Sequence, residues 1–378
     1  MQQTPVLIVG ASISGLSTAA CLQKNGVEFR IIEKQSLIGA PWRHHYERLH
    51  LHTNKRVSNL PYKKFAADAP TYPSRQQVVD YLEDYRREFN IDPVFNCEAR
   101  SIKRSGETWL TQTNGETFES TYVVIATGAF GKPKPVAFTG MNTFDGPILH
   151  SSAYKTGKDF KGQKVLVVGF GNSACEIAID LFEQGAIPSM SVRSPVNIIP
   201  RDIAGIPILE ISQLMSKLPP RFADKLNAPL LRALIGDIRK LGLQKLPYGP
   251  FEQIQKTGTT PVLDIGTVKH LRAGDIKLFS GIDHIDSNSV CFTDGRKESF
   301  DAIIAAIGYY RDYAEIVAAD KCRFDDLRLP VRKQKYFGKD GLYFCGYYVA
   351  PTGQIHEIKN DALKIAGNIA KRQHSSTW

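Results

Sequence analysis

The sequence predicts an α/β protein built from two parallel-sheet nucleotide-binding units, one inserted into the other. Three observations predict it. Val6-Leu-Ile-Val-Gly10-Ala-Ser12-Ile-Ser-Gly15 reads as a buried strand, a glycine turn and the start of a helix. Val165-Leu-Val-Val-Gly169-Phe-Gly171-Asn172-Ser173-Ala174 repeats that build near the middle of the chain. A late strand-then-glycine segment, Gly341-Leu-Tyr-Phe-Cys345-Gly346, reads as a strand returning to the first unit. In such turns the first glycine allows the bend, the second lets backbone approach a pyrophosphate, and a small third residue lets helix meet strand. The helix N-terminus then offers free N–H groups and a positive dipole end to the phosphates.

Each unit shows its own β-α-β pattern. In the first, Val6–Val9 is the strand, a helix runs from Gly15 to Asn25, and Phe29–Ile32 is the second strand, ending in Glu33. A carboxylate about 20 residues past the first glycine is the group that holds ribose hydroxyls. Ser12 takes the place of the middle glycine; it is small and can donate to a phosphate. In the second unit, Met190-Ser-Val192 closes in Arg193 where the first has Glu33. A guanidinium there can pair with a 2′-phosphate, which favours NADP in the second unit and a nucleotide without that phosphate, FAD or NAD, in the first.

The remaining elements follow from turn and cap signals. Pro73-Ser74 opens a helix over 76–89. Strand-like runs at 99–104, 108–113 and 118–120 flank an Asn114-Gly115 turn. Tyr122-Val-Val-Ile-Ala-Thr127-Gly128 is a buried strand ending in a glycine turn, and residues 131–135 read as a connector. The stretch 206–246 is helical and apolar, broken by Pro219-Pro220 and Pro229. It suits a substrate-channel cover, a dimer patch or a peripheral membrane foot, and amphipathic helices are most often core. The domain limits expected are 1–155 with 325–378 for the first unit and 156–324 for the second, the latter carrying the helical insertion at 206–246.

Composition narrows the function. The 378 residues are 42% hydrophobic and 23% charged, ordinary for a globular chain. No apolar run approaches the roughly 20 residues that span a bilayer. The chain starts directly on a strand pattern, so a cytoplasmic location is expected. The net charge of +10 comes from scattered bases such as Lys63-Lys64 and Arg86-Arg87, which argues against nucleic acid as partner. The six cysteines stand singly, with no C-x-x-C pair and no metal-ligand spacing. That argues against a disulfide reductase, the other enzyme class with two nucleotide folds.

Between the two glycine turns lies Phe144-Asp-Gly146-Pro-Ile-Leu-His150-Ser-Ser-Ala-Tyr154. This F-x-G-x-x-x-H-x-x-x-Y pattern resembles the signature of the class B flavoprotein monooxygenases. Arg48-Leu-His50-Leu-His52, Tyr72-Pro73-Ser-Arg75-Gln-Gln77, Gly169-Phe-Gly-Asn-Ser173, Thr260-Pro-Val-Leu-Asp264-Ile-Gly266 and Asp294-Gly-Arg-Lys-Glu-Ser-Phe300 look like the plant YUCCA branch, over nearly the full length. The resemblance implies two Rossmann-like domains, the NADP domain inserted into the FAD domain. It also implies an enzyme in which NADPH reduces FAD, the flavin forms a C4a-(hydro)peroxyflavin with O2, and a small organic substrate is oxygenated. For the YUCCA branch that substrate is indole-3-pyruvate, decarboxylated oxidatively to indole-3-acetate. S- or N-oxygenation of sulfides or amines, and a flavoprotein redox sensor without turnover, are the competing readings.

The residues expected to bind FAD are Gly10, Ser12, Gly15, Glu33, Trp42, Arg43, Thr127, Gly128 and Gly346. Those expected to bind NADPH are Gly169, Gly171, Asn172, Ser173 and Arg193, with Asn172 equally suited to a helix cap. His52, which aligns with a flavin-edge asparagine of the animal enzymes, joins Asn54 and Gln354 as candidates near the reacting ring. His150 reads as a linker residue rather than an acid or base. Departures from the branch include Ser12, Ile307 in place of a threonine, and Tyr347-Tyr348 with 351–356. A small molecule and O2 are the expected partners; peripheral membrane contact is not expected, and a homo-oligomer is compatible with the sequence.

Overall fold

The computed structural model describes residues 1–128, 131–310, 316–317, 324, 330 and 337–375. Their contacts divide into two units: Met1–His44, Thr53–Lys132 and Tyr310–Trp378 in the first, His45–His52 and Pro133–Tyr309 in the second.

In the first unit, β1 (Gln2–Val9), α1 (Ile13–Lys24) and β2 (Arg30–Ile32) form the expected crossover, with β1 and β2 parallel. The antiparallel ribbon β3 (Ala99–Ser105) and β4 (Thr108–Thr113) leads into β5 (Thr117–Ile125), which pairs parallel to β1. The runs read separately at 118–120 and 122–126 are one strand, because the whole of β5 finds partners. The late strand Leu342–Phe344 lies parallel to the end of β5, as expected, pairing Phe344 with Ile125. Leu7, Val9, Ile32, Val123 and Ile125 are buried together with Trp109 and Tyr347. The helix Arg75–Glu88 opens on a capping box, with Ser74 and Gln77 each bonding the other's backbone N–H. The closing helix runs Gln354–Ser375, starting earlier than its apolar periodicity over 360–371 suggests.

The second unit holds a five-stranded parallel sheet. Lys164–Val168 lies between Ile187–Ser191 and Ala302–Ala305, and Ile148–His150 sits on the far edge. The helix Asn172–Glu183 follows the second glycine turn. A three-stranded antiparallel sheet over 282–299 buries Phe292 and Phe300 against Phe279.

The unit limits differ from 155/156 and 324/325 for three reasons. Ile148–His150 pairs with Ile303–Ala305, which carries 133–155 into the second unit. Ile316 accepts the Ile102 N–H (2.7 Å), and Val317 and Phe324 join the core of the first unit. Residues 45–52 are held within the second unit by hydrogen bonds described below. The stretch 206–246 begins with a small hairpin, Asp202–Ile203 with Ile206–Pro207, before the helices Ile208–Met215 and Pro220–Ile235.

The Phe144–Tyr154 signature now has a structural account. A Cβ on Gly146 would stand 2.1 Å from the Asp301 carbonyl oxygen, so backbone passes over backbone there. Phe144 packs against the Phe292–Phe300 cluster. His150 Nε2 donates to the Gly308 carbonyl (3.1 Å) while its Nδ1 accepts the Ser152 N–H (3.1 Å). The Tyr154 hydroxyl donates to Asp180 Oδ2 (2.5 Å). All four signature residues therefore hold one unit together. We predict that Gly146→Ala lowers unfolding stability by about 1–3 kcal/mol. Gly115→Ala, where a Cβ meets nothing within 4 Å, should be near neutral in the same urea titration.

Candidate nucleotide and catalytic site

The first glycine turn is closed by backbone alone. Gly10 has φ +105°, and a Cβ on it would lie 2.8 Å from the Ala126 carbonyl oxygen. A Cβ on Gly15 would lie 1.8 Å from the Gly10 oxygen, so α1 sits directly on the turn. Ser12 is the N-cap of α1 with φ −107°, a conformation open to any residue, and its hydroxyl makes no cap hydrogen bond. The serine therefore replaces glycine without strain and leaves the first-turn N–H groups without a side-chain cap. Glu33 is buried at the end of β2, where Oε2 accepts the Ala11 N–H (2.7 Å) and Oε1 the Gln35 N–H (3.0 Å). Each oxygen keeps a lone pair for a ribose hydroxyl.

The other residues expected around FAD divide into two groups. Gly346 reaches the turn: a Cβ on it would meet Ser14 Oγ at 2.3 Å, its N–H donates to Asp361 Oδ2 (3.3 Å), and its carbonyl accepts from Gln354 Nε2 (2.6 Å). Gln354 thus sits against Gly346, next to the α1 turn. At the end of β5, Thr127 Oγ1 bonds the buried Tyr347 hydroxyl (2.7 Å), and a Cβ on Gly128 (φ +80°) would meet nothing. Tyr347, a departure from the YUCCA pattern, thus has a positional role. Trp42 and Arg43 lie on the short helix Ala40–Arg43. Arg43 is committed elsewhere, pairing with Glu83 and donating to the Ile38 carbonyl (2.9 Å). Asn54 is buried and its Oδ1 accepts the Arg56 and Val57 N–H groups (3.0 and 3.1 Å), so that oxygen shapes the loop.

The second glycine turn repeats the construction. Gly169 has φ +120°, and a Cβ on it would lie 2.6 Å from the Ala306 carbonyl oxygen, with the small Ala174 beyond. Gly171 is the helix N-cap, and a Cβ on it would meet nothing within 4 Å. Open space above uncapped N–H groups fits a pyrophosphate. Arg193 stands exposed two residues past Ile187–Ser191, and among the described residues it has no ion-pair partner. Its backbone is crowded by Gly281, where a Cβ would come within 3.0 Å of Arg193 Cβ. Asn172 uses Oδ1 to accept the Leu263 N–H (2.8 Å), a tie to the strand Val262–Asp264 rather than a cap of its own helix.

His52 is placed by a partner that sequence reasoning missed. Its Nε2 donates to Glu176 Oε1 (2.7 Å), while the Tyr46 hydroxyl donates to Oε2 (2.7 Å) and also bonds Ser173. Three carboxylates at i, i+4 and i+7 line one face of the helix Asn172–Glu183. Glu176 takes His52 and Tyr46, Asp180 takes Tyr154 and the Gly157 N–H (2.9 Å), and Glu183 takes Arg48 through two hydrogen bonds (2.9 and 2.8 Å). The signal in the sequence is an acid pair inside the apolar run Ala174-Cys-Glu176-Ile-Ala-Ile-Asp180, since carboxylates are almost never fully buried unless paired.

Burial opposes the Glu176 charge, but the hydrogen bonds and charges of His52, Tyr46 and Arg48 outweigh it and hold its carboxyl below the ordinary range. Burial also pushes the Cys21 and Cys175 thiols up to about 12 and Cys345 higher still. Those thiols stay protonated at neutral pH and are poor nucleophiles. Among the described residues no disulfide forms.

A carboxyl lowered on folding contributes stability above its unfolded value, and that contribution is lost as pH falls below about 4.3. The melting-temperature gap between the protein and Glu176→Gln should therefore narrow between about pH 6 and pH 3.5. An unchanged gap would mean that folding leaves the Glu176 carboxyl unshifted, and a gap that widens as pH falls would mean that the fold holds it protonated.

The model of the pyridine nucleotide-disulphide oxidoreductase family matches residues 7–201. The indole-3-pyruvate monooxygenase YUCCA6 of Arabidopsis thaliana is 38% identical over 97% of this chain and 90% of its own. YUCCA1 of Oryza sativa is 36% identical, over 96% and 90%. Among solved structures, a flavin-containing monooxygenase from Stenotrophomonas maltophilia superposes with a TM-score of 0.73 at 19% identity, covering 99% of this chain and 100% of that one. A cyclohexanone monooxygenase superposes at 0.75 and 16%, covering 100% and 89%. Two glycine turns, cysteines that stand singly in the sequence and full-length similarity lead to one conclusion: the chain belongs to the YUCCA family of FAD- and NADPH-dependent monooxygenases.

Proposed function

We propose that the enzyme converts indole-3-pyruvate, or a close 2-oxo acid, to the acid one carbon shorter. The observation that carries this reading is the similarity of the whole chain, at 34–38% identity, to relatives named indole-3-pyruvate monooxygenases. The overall reaction balances as 2-oxo acid, O2, NADPH and a proton giving the shortened carboxylate, CO2, NADP⁺ and water.

In this reading the Gly10–Gly15 turn and the first turn of α1 hold the FAD pyrophosphate, with Ser12 donating its hydroxyl, and Glu33 holds the ribose. Gly346, Gln354, Thr127 and Gly128 line the carboxyl end of the first sheet, where ligands of α/β folds bind. Trp42 completes this set, while Arg43 acts through Glu83 to fix the short helix. Bound FAD supplies the redox chemistry, accepting hydride from NADPH and activating O2. Gly169, Gly171 and Ser173 receive the NADPH pyrophosphate, Asn172 braces the turn through Leu263, and Arg193 takes the 2′-phosphate. His52 is a positioning residue held by Glu176, and Asn54 shapes the loop that follows it.

Two measurements test the proposal. Incubation of the FAD-loaded enzyme with NADPH and indole-3-pyruvate should yield indole-3-acetate and CO2 in step with NADPH oxidation. Sulfoxide from a thioether, with no indole-3-acetate, would overturn the substrate assignment. Arg193→Ala should raise KM for NADPH about 10- to 100-fold, the worth of a charge-assisted hydrogen bond, and leave the KM for NADH unchanged. Equal effects on both nucleotides would remove Arg193 from the 2′-phosphate site.

A further inference from the structure

Large apolar side chains stand out to solvent along the stretch 206–234, whose sequence suits a channel cover, a dimer patch or a membrane foot although amphipathic helices are most often core. Leu214 is 68% exposed, and Phe222, Leu226, Leu230 and Leu234 are between 43% and 59% exposed. The last four recur every fourth residue along the helix Pro220–Ile235. At 100° per residue they form one continuous stripe about 120° wide. The helix is fixed away from the stripe by Ile235, which is buried, and by Asp224, which accepts the Phe251 and Glu252 N–H groups (3.0 and 2.9 Å); Ala223, within the stripe's sector near the helix start, is also buried. The stripe is therefore displayed by an anchored helix.

A basic row borders it. Arg221, Lys225 and Arg232 fall in a sector about 40° wide along one edge of the stripe. The stretch 206–246 has seven Lys and Arg against three acids, a net charge of +4. Asp224 is turned inward, and Asp237 is paired with Arg239. Among the described residues, Lys225 and Arg232 have no ion-pair partner.

Charge and area choose the occupant. The stripe exposes on the order of 400 Å² of apolar surface, within the range of functional patches. A second copy docked on it would bury roughly 800 Å², short of the roughly 1,200–2,000 Å² of a stable interface. Two copies would also bring like charges together. An anionic bilayer surface meets both features, because an interfacial helix buries an apolar stripe at the acyl boundary and sets its bases among the headgroups. We propose that Pro220–Ile235 is a docking face for an anionic lipid surface, lying in the plane of the interface. Phe222, Leu226, Leu230 and Leu234 enter the lipid and Lys225 and Arg232 pair with headgroups, while Arg221 is already paired with Glu252 (3.1 Å). No described helix is long and apolar enough to cross a membrane, so this contact is peripheral.

Co-sedimentation of the FAD-loaded full chain with vesicles tests this directly. Binding to phosphatidylcholine vesicles containing about one third phosphatidylserine should be at least tenfold tighter than to phosphatidylcholine alone, and should weaken with salt. Leu226→Ser with Leu230→Ser should lose at least about tenfold in binding while keeping flavin absorbance and nearly all of the melting temperature, since both side chains are already about half exposed to water. Lys225→Glu with Arg232→Glu should abolish the preference for the anionic vesicles and guards against a folding defect in the first variant. Equal binding by the leucine variant and the parent, or no preference for anionic vesicles, would overturn the proposal. So would a dimer in sedimentation velocity that the leucine variant dissolves, which would assign the stripe to a second copy.

Discussion

Both units depend on one constraint, the passage of a strand-to-helix turn over a neighbouring strand with no side chain between them. Gly10 lies against the Ala126 carbonyl and Gly169 against the Ala306 carbonyl, each at positive φ. Any Cβ at either place would enter the van der Waals shell of a backbone oxygen that cannot move without breaking its strand. Because the turn is this tight, the helix begins at the carboxyl end of the sheet with its first N–H groups unsatisfied. The open space above Gly171 and the uncapped Ser12 are consequences of that geometry. A phosphate site comes from backbone alone, before any side chain is chosen.

The second helix adds an acidic face to this plan. Glu176, Asp180 and Glu183 each take a partner that is distant in sequence: His52 and Tyr46, Tyr154, and Arg48. These bonds fasten 45–52 and the end of the Phe144–Tyr154 signature to the helix that starts at Gly171. A buried carboxylate is costly unless it is fully hydrogen-bonded, so the two most buried members of this face define the register of what they bind. His52, expected to face the flavin ring, therefore has its orientation tied to Glu176.

The local backbone chemistry was legible in the sequence. Gly10, Gly15 and Gly169 follow from short-range rules of turns and buried strands, and the strand-then-glycine pattern marks Leu342–Phe344 as a strand without naming its neighbour. Long-range pairing was not legible. Nothing in Ile148-Leu-His150 says that it joins the sheet through Ile303–Ala305, so the unit limits differ from those expected. Arg43 is expected among the FAD residues, and nothing local announces its pairing with Glu83, on a helix 40 residues away in sequence. The leucines of 220–235 carry core periodicity, and only the fold shows which side of the helix is covered.

The central claim is that electrons pass from NADPH through FAD to oxygen without visiting a thiol pair. Burial pushes the Cys175 and Cys345 thiols up, and among the described residues no disulfide forms. An anaerobic reductive titration of the FAD-loaded protein tests this most directly. The account predicts that one NADPH per chain bleaches the flavin completely, with no change in the number of titratable thiols. Uptake of a second NADPH equivalent, with two new thiols appearing per chain, would contradict it.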